Sequence, residues 1–127
     1  MPILIIEDER KLVDILKRAL KGERYSVDVA YDGEEGLEKA MKNNYALIIL
    51  DIMLPKKDGL EVLEDILSDP VLKSRPVILL SNLERESIVK KCLKLGARDY
   101  LIKSNINPEQ VVETARKYLT TDPQKDE

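Results

Sequence analysis

Three acids and a lysine stand at the ends of apolar runs. Ile3-Leu4-Ile5-Ile6 stops at Glu7 and Asp8, Leu47-Ile48-Ile49-Leu50 stops at Asp51, and Tyr100-Leu101-Ile102 stops at Lys103. Carboxylates with no His or Cys beside them are hard oxygen donors, suited to Mg²⁺ or Mn²⁺ with waters completing the shell, and unsuited to zinc or copper. A lysine among them adds a compact positive charge. If the runs are parallel strands of one sheet, the four groups converge at its carboxyl edge, where open α/β folds place their ligand sites. Three carboxylates gathered there raise one another's pKa unless a cation neutralises them, so the pattern predicts a metal-assisted phosphate site.

The elements that must position these groups are legible as an alternation. Apolar runs of strand length are predicted near residues 2–6, 25–30, 46–51, 76–81 and 99–102, separated by stretches of 3.6-residue periodicity. That order is the pattern of a parallel sheet wrapped by helices, and nearly continuous Ile, Leu and Val in the first, third and fourth runs fits strands covered on both faces. The second run alternates and is expected at an edge. A (βα)5 chain of this kind most often takes the doubly wound, flavodoxin-like strand order 2-1-3-4-5, whose switch point lies between strands one and three. Glu7, Asp8 and Asp51 flank it.

Helix one carries Leu12, Ile15, Leu16, Ala19 and Leu20 on its apolar stripe and ends at Gly22, a residue suited to a left-handed cap. Helix two follows Asp32-Gly33 with Leu37, Ala40 and Met41 expected inward. Helix three follows Asp58-Gly59 and carries Leu60, Leu63 and Leu67, and helix four is expected from about Glu84 to Leu95, stopping at Gly96. The last helix has the clearest start, with Asn107 as N-cap, Pro108 at the first helical position, and Val111, Ala115 and Leu119 as its buried stripe. One domain over 1–119 is expected, followed by a polar tail over 120–127 with a proline at 123.

Composition narrows the function classes. The chain has 127 residues, 35% of them charged, and a net charge of −3 with basic and acidic residues interspersed, which argues against a nucleic-acid surface. No apolar run approaches the roughly 20 residues that cross a bilayer. Met1-Pro2-Ile3 opens directly into a strand, so a cytoplasmic protein is expected. There is no histidine, which excludes a Ser-His-Asp device, a histidine zinc ligand and a phosphohistidine of the chain's own. Whatever group is transferred must come from outside the chain. The single cysteine, Cys92, shares a helix face with Ile88 and Leu95 and is expected to be buried and inert.

Three segments carry a resemblance. Ile5-Ile6-Glu7-Asp8-Glu9, then Asp51-Ile52-Met53-Leu54-Pro55-Lys56-Lys57-Asp58-Gly59, then Gly96-Ala97-Arg98-Asp99-Tyr100-Leu101-Ile102-Lys103 resemble response-regulator receiver domains, over residues 1 to about 119. The middle motif is the most specific of the three. The resemblance implies that Asp51 accepts a phosphoryl group from a phosphohistidine of a sensor histidine kinase or phosphotransfer protein. It implies that Glu7 and Asp8 hold Mg²⁺ together with Asp51 and the backbone carbonyl of Met53, Asp8 the more directly. Lys103 and the Ser81 hydroxyl would each meet a phosphoryl oxygen. Tyr100 stands at the family's aromatic switch position, and Ser81 and Tyr100 would shift together on phosphorylation, altering the face formed by helix four, strand five and helix five. That face would then meet a downstream effector or a second copy. Such a domain is a signalling phosphoacceptor and no enzyme beyond self-phosphorylation from small donors and slow autodephosphorylation.

Each residue has a plainer competing role. Asp8 could cap helix one, Ser81 with Glu84 spells a capping box for helix four, Lys103 could be an exposed strand-end lysine, and Tyr100 a half-buried sheet residue. Asp51 has the weakest competitor, because a carboxylate directly after four large aliphatic residues needs a site to justify it. The chain departs from the family pattern twice. Ser104 follows Lys103 where receivers usually have a cis proline; a cis bond to serine would cost about 3–4 kcal/mol, so a trans bond and a differently shaped loop over 104–107 are predicted. Asn82 stands where a small residue is usual, its amide placed either to hydrogen-bond the phosphate or to obstruct it. A flavodoxin is disfavoured because Glu7-Asp8-Glu9 would repel an FMN phosphate, and a haloacid-dehalogenase-type phosphatase because Met53 replaces its second aspartate. The remaining alternative is a receiver-like interaction module that is not phosphorylated.

Overall fold

A computed structural model describes residues 2–82 and 86–119. Its elements alternate as β1 (Pro2–Ile6), α1 (Arg10–Lys21), β2 (Ser26–Ala30), α2 (Gly33–Lys42), β3 (Leu47–Asp51), α3 (Gly59–Ser68), β4 (Val77–Ser81), α4 (Glu86–Leu95), β5 (Asp99–Ile102) and α5 (Pro108–Leu119). All strand pairs are parallel, and the sheet order is β2-β1-β3-β4-β5. The doubly wound (βα)5 expectation therefore holds, with β2 at an edge.

Strand alternation divides the core into two layers. Successive side chains of a strand point to opposite faces, so Leu4, Ile6, Ile48, Leu50 and Leu79 pack with Ala40 of α2, Val62 and Ile66 of α3, and Val89 and Cys92 of α4. Ile3, Ile5, Leu47, Ile49, Ile78 and Leu80 pack on the other face with Leu12, Leu16 and Leu20 of α1 and Val111, Ala115 and Leu119 of α5. β1, β3 and β4 read as continuous aliphatic runs because both of their faces are covered. Truncating one of these buried leucines to alanine costs about 2–5 kcal/mol.

Three expectations about the helices need correction. Met41 is 52% exposed and Ile15 43% exposed. The buried line of α2 is Gly33, Gly36 and Ala40, and Met41 lies about 100° around the axis from Ala40; α1 buries Leu12, Val13, Leu16 and Leu20, which turns Ile15 to the flank. Gly22 is not left-handed, with φ −60°; the turn closes two residues later at Arg24, φ 70°. Glu84, the expected start of helix four and the partner of Ser81 in its proposed capping box, lies outside the described residues, as does the tail over 120–127. Cys92 is buried, as expected.

Candidate functional site

Register alone assembles the site. Ile6 pairs with Leu50 across β1 and β3, so Glu7 and Asp51, one residue on, sit side by side at the carboxyl edge. Ser81 closes β4 opposite Ile102, so Lys103 begins just past the same edge. From there its side chain crosses β4 and reaches the acids. Lys103 Nζ lies 2.9 Å from Asp51 Oδ2 and 3.1 Å from Glu7 Oε1.

Glu7 and Asp51 are both fully buried. Backbone donors fix each of them: the Met53 N–H donates to Asp51 Oδ1 at 3.0 Å, and the Glu9 N–H to Glu7 Oε2 at 2.9 Å. Asp8 is exposed, and it does not cap α1, whose N-cap is Glu9 without a side-chain bond. One carboxylate oxygen from each of Glu7, Asp8 and Asp51 lies within 4.8 Å of the others. Beneath them, α3 starts against the acceptor's own backbone: a Cβ on Gly59 would fall 2.3 Å from the Asp51 carbonyl oxygen, so only glycine permits this approach.

The electrostatics are unbalanced. Three carboxylates face one ammonium, and the buried Glu7 Oε1 accepts no hydrogen bond although Lys103 is beside it. Burial, then the charge of Asp51, pushes the Glu7 carboxyl up to about 7. Asp51 is also raised, chiefly by burial, against the opposing pull of Lys103 and the Met53 N–H. Burial pulls the Lys103 ammonium down, but its contacts with Asp51 and Glu7 outweigh that and hold it above its ordinary value. Two surplus negative charges, hard oxygen donors and an orphaned buried oxygen fit a divalent cation.

The family model of the response regulator receiver domain matches residues 3–116. The chain belongs to that family. The receiver is 40% identical over 124 residues to the protein named response regulator ArlR of Staphylococcus haemolyticus and, equally, to that of Staphylococcus aureus strain USA300. These alignments cover 98% of this chain and 55% of theirs, so the chain spans about half the length of these relatives. Among solved structures, the receiver domain of the Francisella response regulator 1452 superposes with a TM-score of 0.83 at 30% identity, covering 95% of this chain and 98% of that one. The chemotaxis response regulator CheY4 of Vibrio cholerae gives 0.86 at 26%, covering 93% and 98%.

Other residues of the receiver motif take definite places. Ser81 is buried beside the site, its hydroxyl donating to the Asn82 carbonyl at 3.0 Å. Tyr100 is 43% exposed and lines a groove of about 400 Å³ with Asn82, Val89, Leu93 and Ile102. Asn82 also lines a second cavity, of about 370 Å³, with Glu9, Leu12, Ile15, Lys103 and Ser104. Among the described residues no peptide bond is cis, and Lys103–Asn105 form a single 3₁₀ turn, so the trans expectation at Ser104 holds. No helix among the described residues is long and apolar enough to cross a membrane. Sequence reasoning missed the two backbone N–H groups that orient the acids, since nothing in the side-chain pattern signals them.

Proposed function

We propose that Asp51 is the phosphoacceptor of this receiver, with Glu7, Asp8 and the Met53 carbonyl joining it in holding Mg²⁺. The observation that carries the proposal is a fully buried Asp51 whose carboxylate is gripped by Lys103 at 2.9 Å and crowded by two further acids. An Asp51 oxygen attacks the phosphorus of a partner kinase's phosphohistidine. The O–P bond forms as the P–N bond breaks, and the imidazole nitrogen keeps the electron pair. When bound, the metal offsets the negative charge of the acids and of the transferring group.

The chain's own groups do the rest. The Met53 N–H orients the nucleophile, Lys103 passes from Asp51 to a phosphoryl oxygen, and the Ser81 hydroxyl turns from the Asn82 carbonyl to another. Tyr100 moves inward as Ser81 turns, changing the α4–β5–α5 face that an effector or second copy reads. A cytoplasmic setting completes the reading. The intact acids and lysine weigh against a module that is never phosphorylated. An acyl phosphate is labile to hydroxylamine: after treatment with a small phosphodonor and Mg²⁺, hydroxylamine should leave a hydroxamate on the Asp51 peptide by mass spectrometry. A hydroxamate elsewhere, or none, would count against the assignment.

A further inference from the structure

We infer that Gly33, the first residue of α2, is a positioning residue for the Mg²⁺ and phosphoryl site, acting through the loop between β3 and α3; this rests on the reading of Asp51 given above. Gly33 is buried beneath that loop. A Cβ built there would lie 2.0 Å from the Lys57 carbonyl oxygen and 2.7 Å from the Lys57 Cβ. No rotamer relieves the first contact, because it is backbone. Gly33 also donates its N–H to the Pro55 carbonyl at 3.4 Å, and its neighbour Asp32 pairs with Lys56 at 3.7 Å. The start of α2 therefore touches three consecutive residues of the loop.

Between Pro55 and Lys57, Lys56 adopts φ 66°, a left-handed conformation that a lysine takes only when its surroundings impose it. The loop's two ends belong to the site. At one end Met53 orients Asp51 through its N–H, and at the other Gly59 packs on the Asp51 carbonyl. A side chain at 33 must displace Lys57 by about 1 Å, since real Cβ contacts do not fall below 3.0 Å. Losing a group that orients a metal ligand typically weakens metal binding about 10- to 100-fold, and this loop carries one, the Met53 N–H on Asp51. The competing view, that Gly33 only packs α2 against this loop, predicts a lower thermal midpoint in Gly33→Ala with Mg²⁺ affinity kept.

The test compares wild type, Gly33→Ala and Val77→Ala, the last truncating a buried residue at the opposite edge of the sheet. Mg²⁺ affinity is measured by calorimetry, thermal midpoint by scanning fluorimetry with an external dye, and Asp51 phosphorylation from acetyl phosphate by intact mass. Gly33→Ala should weaken Mg²⁺ binding about tenfold or more and slow phosphorylation. Val77→Ala should lower the midpoint yet keep Mg²⁺ affinity within about twofold of wild type. Equal Mg²⁺ affinity in Gly33→Ala and wild type would overturn the inference, as would a parallel loss of affinity in Val77→Ala. Should Gly33→Ala not fold, amide shifts of the wild type decide: Mg²⁺ should move the Gly33 resonance with the same midpoint as Met53, and a stationary Gly33 would overturn the inference. A wild type that neither binds Mg²⁺ nor takes a phosphoryl group fails the function reading itself, a result distinct from a normal wild type with a normal Gly33→Ala.

Discussion

Glu7 and Asp51 are fully buried carboxylates sharing one ammonium, and the pH dependence of the protein follows from that shortage. Burial holds Glu7 near 7 in the fold, above its ordinary 4.5, so the folded chain binds this proton more tightly than the unfolded one. Stability from this group is therefore greatest below 4.5 and is lost as pH rises through about 7, a swing on the order of 3 kcal/mol. The raised Asp51 acts in the same direction. Without metal, the thermal midpoint should rise from pH 8 to pH 6, a trend that Glu7→Gln flattens. Mg²⁺ must compete with the same proton, so its affinity should fall over that interval in calorimetric titrations. A midpoint that drops at pH 6 with unchanged Mg²⁺ affinity would refute this picture. At this scale the sequence was informative about where the acids end their strands. It was silent on how the acids are held, because backbone donors such as Met53 and Glu9 leave no side-chain signature. It also left Asp8 open between cap and ligand, a choice that the start of α1 at Arg10 decides against the cap.

Among the elements, strand existence was legible because aliphatic runs are bounded by charge and glycine, and each predicted strand end falls within one residue of the observed one. Helix rotation was less so. Ile15 and Met41 look inward by periodicity alone, yet which stripe faces the sheet is set by the small residues that let α2 close on β1 and by the Leu12, Leu16 and Leu20 line of α1. Caps follow side-chain chemistry more closely than spacing: Asn107 accepts the Gln110 N–H at 2.8 Å as the sequence suggested, whereas the α1 turn closes at Arg24 instead of Gly22. Asn107→Ala should therefore cost about 1 kcal/mol in denaturant unfolding and leave phosphorylation unchanged, since it caps α5 without reaching the acids. A loss of phosphoryl uptake in that variant would mean that the loop after Lys103 contributes more than a path for the chain.

For the molecule as a whole, the two-sided core accounts for why a receiver can be read from 127 residues: five parallel strands need helices on both faces, and only that arrangement brings three strand ends to one edge. Leu119, at the end of α5, is buried in the core with Val111 and Ala115. We take 1–119 as the domain, so a chain ending there should melt within about 2 °C of the full one, whereas one ending at Arg116 should lose several kcal/mol with the apolar contacts of Leu119 and Tyr118. We propose that this edge places one phosphoryl group on Asp51. Intact mass after incubation with phosphoramidate or acetyl phosphate tests it most directly: a single Mg²⁺-dependent phosphoryl adduct in the wild type, absent from Asp51→Asn, is the predicted result. An adduct that persists in Asp51→Asn, or a wild type that binds Mg²⁺ and never gains one, would contradict it.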